Sequence, residues 1–394
     1  MFQDQRVTFV SYDAIVIGGG MVGSATALGL AKLGRTVALI EKNLPQDFSP
    51  EQPPDVRLSA LSLSTVKFLN QLGAWQHISS MRCQPYNELA VWENAQTEAD
   101  KTVFTASSIG CDSLGQFVEN RLTQLALHKE IAQYSAVDLY SNSNIEMLDT
   151  LNNQIVLKDG QKLHGKWIIG ADGAQSKVRT AAGIGQTGWQ YAQQALGVIV
   201  QLETNSGSRT WQQFKSTGPV AFLPMYDNFA ALIWYHDANE ISRLTALSEE
   251  QLKIRIIDNF PSIGADFSIS SRGSFPLNRA HANQYVKAHT VLVGDSAHTI
   301  NPLAGQGVNI GFKDVEALLN VFEQNGMPDT QKMSKEYEDV RRRQNLLMMT
   351  AMDVFYLAFS NEIEPLKMIR NLALKAAGKA GPLKQQALKY AVGI

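Results

Sequence analysis

The sequence predicts an α/β fold of two lobes, in which a parallel-sheet lobe is interrupted by an antiparallel-sheet lobe and followed by a C-terminal helical segment. Three observations support this prediction. A glycine-rich strand–turn–helix stands near the start of the chain, a second strand ends in glycine and aspartate near residue 295, and a run of short aromatic strands lies between them.

The N-terminal motif predicts that the first lobe is Rossmann-like. Residues 14–17 form an apolar run typical of a buried strand, and Gly18-x-Gly20-x-x-Gly23 follows at once. A helix of small residues and a second strand come next, and Glu41 closes that strand. In this fingerprint the first glycine makes a tight turn, the second admits a pyrophosphate, the third lets the helix approach the strand, and the acid binds a ribose hydroxyl. The motif therefore predicts a bound dinucleotide, and it does not distinguish NAD from FAD.

A second ligand-binding turn is predicted where the strand at residues 291–293 ends in Gly294-Asp295. Open α/β sheets bind ligands at the carboxyl ends of their strands, so the aspartate stands where it can accept a hydrogen bond from a sugar hydroxyl. The loop that follows contains Pro302, and apolar residues at helical spacing predict a helix that begins near residues 305–307. Such a helix start presents free N–H groups and a positive dipole end to an anion or an electron-rich ring.

Residues 195–236 predict the antiparallel sheet, because four short strands stand at hairpin spacing with a high aromatic content. The stretch holds few cations, whereas a site for a carboxylated aromatic compound normally needs an arginine. The sequence therefore favours an apolar aromatic substrate, with Phe222, Pro224, Trp234 and His236 as candidate substrate contacts. The alternative is that these aromatic residues form the packed core of the second lobe.

The length of the chain supports a division into lobes, since 394 residues are many for a single core. The predicted segments are 12–86, 113–185 and 275–345 for the nucleotide-binding lobe, 87–112 and 186–274 for the substrate-binding sheet lobe, and 346–394 for the C-terminal helices. No internal repeat or low-complexity stretch interrupts them.

Composition and charge narrow the class of protein. A net charge of −2 with 44% hydrophobic residues is typical of a globular protein and argues against a nucleic-acid partner. Cys83 and Cys111 have no spacing suited to a metal or redox pair, so no metal site and a reducing compartment are predicted. Residues 1–11 lack the apolar core of a signal peptide, and the apolar stretch at residues 346–359 is short and interrupted by Asp353. The sequence therefore predicts a cytoplasmic protein.

The C-terminal tail has a charge of its own, because six basic residues and no acidic residue follow Glu364. Leu366, Ile369, Ala373 and Ala376 recur at helical spacing among them. This pattern predicts a basic amphipathic segment that holds the protein peripherally at the anionic inner face of a membrane or against a lipid-binding partner. The alternative is a solvated helix packed across the two lobes.

The order of three motifs resembles a known family. The glycine motif at residues 18–23, Asp172-Gly173 and Gly294-Asp295 are similar to those of the single-component flavin monooxygenases that hydroxylate aromatic rings, which implies a p-hydroxybenzoate hydroxylase-like fold. Further motifs resemble the ubiquinone-biosynthesis branch, and within it the hydroxylases of demethoxyubiquinol (2-polyprenyl-3-methyl-6-methoxy-1,4-benzoquinol). These motifs are residues 118–120, 189–192, 211–214, 298–307 and 388–391. Two positions depart from the pattern: Ser296, where many relatives have alanine, and Glu119-Asn120, where other flavin hydroxylases often have arginine.

The resemblance implies FAD as the resident cofactor and NAD(P)H as a transient electron donor. The residues implied to bind FAD are Gly18, Gly20, Met21, Val22, Gly23, Glu41 and Lys42 at the ADP half, Arg57 at the pyrophosphate, Asp172, which in relatives serves both FAD and NAD(P)H, Asp295 at the ribityl chain, and Pro302, Gly305, Gly307, Val308 and Asn309 at the flavin edge. The catalytic residues implied to face the flavin edge are those of the loop, Pro302, Gly305, Gln306 and Gly307. No base is assigned, although His236 or Tyr226 near the sheet could deprotonate a quinol.

The implied reaction is transfer of one oxygen atom of O2 from a flavin C4a-hydroperoxide to an unsubstituted ring carbon of a polyprenyl quinol. Other ubiquinone-biosynthesis proteins are implied as partners. Three alternatives remain open: a sibling hydroxylase that acts at another carbon of the same ring, a non-catalytic flavin-binding member of the biosynthetic assembly, and an NAD-dependent dehydrogenase. The dehydrogenase explains only the first glycine motif and leaves residues 294–314 without a role.

Overall fold

Three sheets and ten α-helices make up the part of the chain that the computed structural model describes, which is residues 9–300, 307–359, 385–386, 388–389 and 392–393. The strands, in chain order, are β1 (Val10–Ile17), β2 (Val37–Glu41), β3 (Leu58–Ser62), β4 (Gln84–Tyr86), β5 (Glu88–Trp92), β6 (Thr102–Thr105), β7 (Gly115–Glu119), β8 (Val137–Ser141), β9 (Ile145–Asp149), β10 (Gln154–Leu157), β11 (Lys162–Gly170), β12 (Gln186–Leu202), β13 (Arg209–Gln213), β14 (Val220–Pro224), β15 (Phe229–Asp237), β16 (Phe267–Ala282), β17 (Val286–Lys287), β18 (Thr290–Leu292) and β19 (His298–Thr299). The helices are α1 (Met21–Lys32), α2 (Leu63–Leu72), α3 (Ala74–Met81), α4 (Asn120–Ile131), α5 (Lys177–Ala181), α6 (Ala238–Ala246), α7 (Glu249–Asn259), α8 (Gly307–Asn325), α9 (Thr330–Lys332) and α10 (Asp339–Phe359). A π-helical turn, Met333–Glu338, joins α9 to α10.

A largely parallel sheet forms the first layer, in the order β17-β18-β11-β1-β2-β8, with β10 and β9 continuing beside β11. β1 pairs in parallel with β2 and β11, and β11 pairs in parallel with β18. Ile15, Leu39 and Ile168 are fully buried, as expected of strands covered on both faces. This arrangement confirms the predicted α/β class. We call this sheet, with α1, α4, α5 and α8, the nucleotide lobe.

An antiparallel sheet forms the second layer, in the order β19-β16-β12-β15-β14-β13-β5-β6, in which only β13 and β5 pair in parallel among the pairs described. Residues of α6 and α7, such as Ile241 and Leu252, pack with Leu196 and Leu232 of the sheet in one apolar cluster. The helices therefore cover one face of the sheet, and the other face is turned toward the nucleotide lobe. We call this sheet, with α6 and α7, the sheet lobe.

Two helices begin later than their apolar periodicity predicts. The pattern from Arg57 predicts a helix, whereas Leu58–Ser62 is strand β3, and α2 begins at Leu63 with the Ser62 hydroxyl as its cap. In the same way residues 118–119 end strand β7, and α4 follows. The reason is tertiary, because β3 and β7 pair with each other in antiparallel register, Leu58 opposite Glu119, although they are far apart in sequence.

The two lobes are joined by a hydrogen-bonded strand as well as by the chain. β19, which follows the turn that carries Asp295, is the edge strand of the sheet lobe and pairs with Ala280 and His281 of β16. The predicted cofactor turn is therefore attached directly to the predicted substrate sheet. None of the helices that the structure describes has the length and apolar character needed to cross a membrane, and the amphipathic pattern at residues 366–376 lies outside the described residues.

Candidate cofactor and active site

The turn between β1 and α1 is tight enough to require glycine at two positions. Gly18 has φ +102°, and a Cβ there would lie 2.4 Å from the carbonyl oxygen of Ala171 at the end of β11. A Cβ on Gly23 would lie 1.8 Å from the carbonyl oxygen of Gly18. Helix α1 consequently begins against the carboxyl ends of β1 and β11, where a parallel sheet binds its ligand.

The space in front of this helix is open. Among the residues that the structure describes, a Cβ on Gly20 would meet no atom within 4 Å, and no side chain caps the N-terminus of α1. The N–H groups of Met21 and Val22 belong to the first turn, which has no intrahelical acceptor for its donors. An uncapped helix start beside open space fits a pyrophosphate.

Side chains that the sequence analysis did not single out hold this turn. The Gly19 carbonyl accepts hydrogen bonds from Ser24 Oγ, from Gln124 Nε2 and from His128 Nε2, each at 2.8 Å. Gln124 and His128 lie on α4, about a hundred residues further along the chain, so no local sequence pattern indicates their contact with Gly19. The Gly19 N–H donates to Glu41 Oε2 at 2.5 Å, and Glu41 Oε1 accepts from the Asn43 N–H at 2.8 Å. Glu41 is thereby fixed beside the glycine turn, and its neighbour Lys42 is exposed.

Asp295 lies at the second predicted turn, after Gly294, which has φ +61°. Its side chain is solvent-exposed, yet the protein surrounding it raises its pKa by desolvation, while His298 and Arg57 oppose that rise. The carboxylate is therefore accessible to a ligand although protein surrounds it. Among the described residues, none donates a hydrogen bond to it. An accessible acceptor of this kind fits a ligand hydroxyl, so this turn fits the ribityl chain of FAD.

A buried ion cluster lies beneath this turn. Asp314 of α8 is fully buried and accepts from the Gly294 N–H at 3.1 Å, from His298 Nε2 at 2.5 Å and from Arg341 Nε at 2.8 Å. Asn345 adds a further hydrogen bond at 3.0 Å. Burial alone would raise the Asp314 pKa, but His298 and Arg341 outweigh it and hold the pKa at about 2. The cluster ties the cofactor turn to α8 and α10, and the sequence analysis missed it because no spacing links its members.

Ser296 and Asp172 take structural roles next to the two turns. The Ser296 hydroxyl donates to the Gly170 carbonyl at 2.5 Å and thus joins the ends of β11 and β18. This hydrogen bond gives Ser296 a structural role. The Asp172 carboxylate accepts from Ser176 Oγ at 2.5 Å and from the Lys177 N–H at 2.7 Å, so it caps α5. Its predicted contact with FAD and NAD(P)H remains a prediction.

Arg57 lies at the junction of the lobes. Its guanidinium carbon is 5.1 Å from the centre of the Phe275 ring in the sheet lobe, and its charge opposes the rise in the Asp295 pKa. The side chain is exposed, so its guanidinium can reach a bound anion. The contact of Arg57 with the pyrophosphate stays a prediction.

A buried ion pair between Arg82 and Glu119 holds the loop before Arg57, and this gives Glu119 a structural role. Arg82 donates to Glu119 Oε1 at 2.6 Å and to the Tyr226 hydroxyl at 2.7 Å, and Glu119 Oε2 accepts from the Asp55 N–H at 2.7 Å. Burial raises the Tyr226 pKa, and its oxygen already accepts from Arg82. Both facts argue against Tyr226 as a base.

The structure places the predicted substrate contacts Phe222 and Trp234 in the packed core of the sheet lobe. Both side chains lie in the cluster covered by α6 and α7, and Trp234 makes an edge contact with Phe260 at 5.3 Å. Side chains alternate along a strand, so Pro224 shares the face of Phe222. His236 shares the face of Trp234 and bonds its own neighbour Asp237 at 2.6 Å. The packed-core alternative is therefore correct for the two aromatic residues, and sequence spacing could not tell which face of the sheet looks toward the cofactor turn.

The opposite face of the sheet carries a second apolar cluster. Leu223, Ile233 and Ile199 of the sheet pack there with Val56 and Leu58 of the nucleotide side. A Cβ on Gly197 would lie 2.8 Å from Val56 Cγ1, so the strand and the loop approach each other closely. This face, and not that of Phe222, is turned toward the nucleotide lobe.

The described part of α8 begins at Gly307, and Pro302, Gly305 and Gln306 lie outside the described residues. Asn309 accepts from the Ser62 N–H at 2.9 Å and donates to the Ala60 carbonyl at 2.8 Å. Its side chain thus docks α8 on β3 and leaves only its backbone for the flavin edge.

This fold and its two turns define a class of protein, the dinucleotide-binding oxidoreductases. The chain matches the FAD binding domain family over residues 11–342. It therefore belongs to that family and is an FAD-dependent monooxygenase.

Individual relatives agree with this assignment. The chain is 43% identical to the 3-demethoxyubiquinol 3-hydroxylase of Escherichia coli (strain K12) over 96% of this chain and 98% of that protein. It is 31% identical to the mitochondrial ubiquinone biosynthesis monooxygenase COQ6 of Xenopus tropicalis over 96% of this chain and 93% of that protein. The crystal structure of p-nitrophenol 4-monooxygenase PnpA from Pseudomonas putida DLL-E4 superimposes with a TM-score of 0.78 at 19% identity, over 98% of this chain and 97% of that one. This last likeness confirms the predicted fold.

Proposed function

We propose that this monooxygenase hydroxylates the ring of a polyprenyl benzoquinol, at the demethoxyubiquinol step of ubiquinone biosynthesis. The observation that carries the proposal is the 43% identity, over 96% of the chain, to a protein named for that reaction. The co-substrate is O2, and NAD(P)H is the proposed electron donor. Bound and reduced FAD supplies the chemistry, which is activation of O2 and delivery of one of its oxygen atoms to the ring.

In this proposal the chain's own residues bind and orient the cofactor. The N–H groups of Met21 and Val22 bind the pyrophosphate, Glu41 binds the ribose of the ADP half, and Asp295 binds the ribityl chain. Gly307 and Val308 present N–H groups to the flavin edge. Arg57 adds positive charge at the lobe junction, next to Asp295.

The apolar face opposite the cofactor turn suits a polyprenyl quinol. Leu223 and Ile233, which are only partly buried, offer a water-poor surface against which an uncharged ring can pack. Two arginines lie near this face: Arg82 is already engaged by Glu119, and this proposal assigns the exposed Arg57 to the cofactor. With both engaged, a carboxylated substrate would lack the bidentate arginine that such a group normally receives.

Product analysis tests the substrate. The purified protein, given a demethoxyubiquinol analogue, NAD(P)H and O2, should yield the ring-hydroxylated quinol with one oxygen atom from ¹⁸O2. Hydroxylation of a different ring carbon would move the assignment to a sibling reaction. Consumption of O2 without any hydroxylated product would contradict the proposal.

Asp295→Ala tests the cofactor contact. The variant should bind FAD about 10- to 100-fold more weakly, because a hydrogen bond to a charged group contributes about 1.5–3 kcal/mol. FAD titration followed by flavin fluorescence measures this. The matched control is Asp227→Asn, an aspartate in a loop of the sheet lobe. Equal affinity in the wild type and Asp295→Ala would remove Asp295 from the site.

We also propose that the basic residues after Glu364 hold the enzyme at an anionic membrane surface, where a polyprenyl substrate resides. Each basic residue near such a surface contributes about 1 kcal/mol, weakened by salt. Sedimentation with anionic and neutral liposomes tests this. The full chain should sediment with anionic liposomes at low salt, and a chain ending at residue 364 should not. Equal sedimentation of the two would contradict the proposal.

A further inference from the structure

Asp353 stands out because it is a carboxylate in the middle of an otherwise apolar part of α10. It accepts from the Tyr191 hydroxyl at 2.5 Å and from Arg279 Nε at 2.6 Å. The Arg279 and Asp353 side chains are only 10% and 16% exposed. Breaking a pair this deeply buried leaves an uncompensated charge. Tyr191 and Arg279 belong to β12 and β16 of the sheet lobe, so Asp353 fastens α10 to that lobe.

Strand β12 has a local irregularity at the point where it contacts Asp353. The register of β12 against β16 shifts between Gln190 and Gln194, so Tyr191 lies in a bulge. A bulge bends its strand and re-aims a side chain. Burial and the Asp353 carboxylate raise the pKa of Tyr191, which keeps its hydroxyl a hydrogen-bond donor. The ring of Trp189 lies over the Arg279 guanidinium at 4.3 Å and adds a cation–π contact.

The other end of α10 is fastened to the nucleotide lobe. Arg341 and Asn345 both bind Asp314, and Asp314 accepts from the Gly294 N–H of the cofactor turn. Arg341 and Asp353 are twelve residues apart, which is about 18 Å along an α-helix. A single helix thus connects the cofactor turn to the bulge in β12 through two buried carboxylates.

We propose that α10 is a strut that fixes the spacing of the two lobes, and that Asp353 is a positioning residue for the monooxygenase reaction. Asp353 acts through Tyr191 and Arg279. It holds the sheet, with the substrate ring packed on it, at a set distance from the cofactor turn. Oxygen transfer depends on this distance, because a displacement of about 1 Å can lower the rate 100-fold. The role in the reaction rests on the function proposed above, whereas the strut itself does not.

The test compares two tyrosine-to-phenylalanine variants. Tyr191→Phe removes the hydroxyl that bonds Asp353 between lobes. Tyr12→Phe removes a hydroxyl that bonds Asp138 at 2.6 Å within the nucleotide lobe. Both changes delete one tyrosine–aspartate hydrogen bond, and Tyr12→Phe also deletes a hydrogen bond to the Tyr140 hydroxyl. The control therefore loses at least as many hydrogen bonds as Tyr191→Phe, so a larger effect of Tyr191→Phe on the reaction is not an effect of general stability.

Two readouts separate positioning from stability. The first is hydroxylated product formed per O2 consumed in the FAD-loaded enzyme. Tyr191→Phe should lower this ratio at least threefold, with the missing oxygen recovered as H2O2, and Tyr12→Phe should leave it unchanged. The second needs no substrate: deuterium uptake by the backbone of residues 189–196 should rise in Tyr191→Phe and stay unchanged in Tyr12→Phe. Asp353→Asn should enlarge both effects, and Tyr191→Phe remains decisive if that variant does not fold.

The possible results bear on different parts of the proposal. An unchanged product ratio in Tyr191→Phe would overturn the positioning role of Asp353. Equal deuterium uptake in Tyr191→Phe and Tyr12→Phe would overturn the strut. A wild-type enzyme that gives no product from any quinol would refute the proposed function, and the exchange measurement would then decide the strut alone.

Discussion

The two predicted ligand-binding turns of this protein look alike and are held in different ways. Each ends a parallel strand and contains a glycine with positive φ, at Gly18 and Gly294. Helix α1 follows the first turn directly, whereas β19 stands between the second turn and α8. The first turn is shaped by the absence of side chains, since a Cβ at Gly18 or Gly23 would overlap the neighbouring backbone. The second is held by charge, through the Asp314 cluster. Steric constraints of this kind are visible in a sequence, whereas buried ion pairs between distant residues are not.

The difference predicts that the second turn depends more on one side chain than the first does. Asp314→Asn leaves His298 and Arg341 without their carboxylate, and breaking one partner of a buried pair costs about 3–5 kcal/mol. Urea unfolding should show this loss in the free energy of unfolding. The control is Asp13→Asn, whose partner Lys166 is exposed and for which a loss below about 1 kcal/mol is expected. Similar losses in both variants would show that the cluster does not stabilise the turn.

The second turn should also be sensitive to acid through His281, which bonds Tyr285 at 2.9 Å next to the Asp314 cluster. Burial first, and then the charges of His298, Arg342 and Arg279, lower the His281 pKa to about 4. The unfolded chain binds this proton near pH 6.5 and the folded chain only near pH 4, so stability is lost as the pH falls through that window. The expected loss is about 3 kcal/mol at 1.36 kcal/mol per unit.

Unfolding measured at several pH values checks this window. His281→Gln should flatten the dependence between pH 6.5 and pH 4, and His164→Gln on β11 serves as the control. A wild-type curve that is flat across this range would contradict the prediction.

Two substitutions near the first turn should separate its effect on packing from its effect on cofactor binding. Gly23→Ala places a Cβ against the Gly18 carbonyl and should destabilise the fold by about 1–3 kcal/mol. Gly20→Ala meets no atom within 4 Å, so it should leave the apoprotein stable and still weaken FAD binding by filling the open space. Thermal melting without FAD and FAD titration distinguish the two. Wild-type FAD affinity in Gly20→Ala would show that the cofactor does not occupy this space.

The smallest effect is expected at Ser296, which joins the two strand ends beside the second turn. Ser296→Ala removes the hydrogen bond to the Gly170 carbonyl and should cost about 1 kcal/mol. The value is low because a single hydrogen bond between neutral groups contributes only about 0.5–1.5 kcal/mol net. A loss as large as that of Asp314→Asn would mean that strand joining, and not the ion cluster, holds the turn.

The sequence alone determined the elements whose causes are local. The glycine triplet with Glu41, the aspartate after Gly294 and the four aromatic strands were predicted correctly as structure, because each depends on neighbours a few residues away. From them came the α/β class, which the sheet topology confirms, and the family resemblance that implied FAD, which the family match confirms.

Only the tertiary structure decided the rest, since its causes join distant parts of the chain. Strand β3 exists because β7 lies beside it, and helical periodicity could not reveal that pairing. The face of Trp234 depends on where α6 and α7 pack, and a strand pattern is the same on either face. The sequence does not reveal which partners the carboxylates of Asp314 and Asp353 have. Folding shields both carboxylates from water and brings arginines to them from other elements, Arg341 to Asp314 and Arg279 to Asp353.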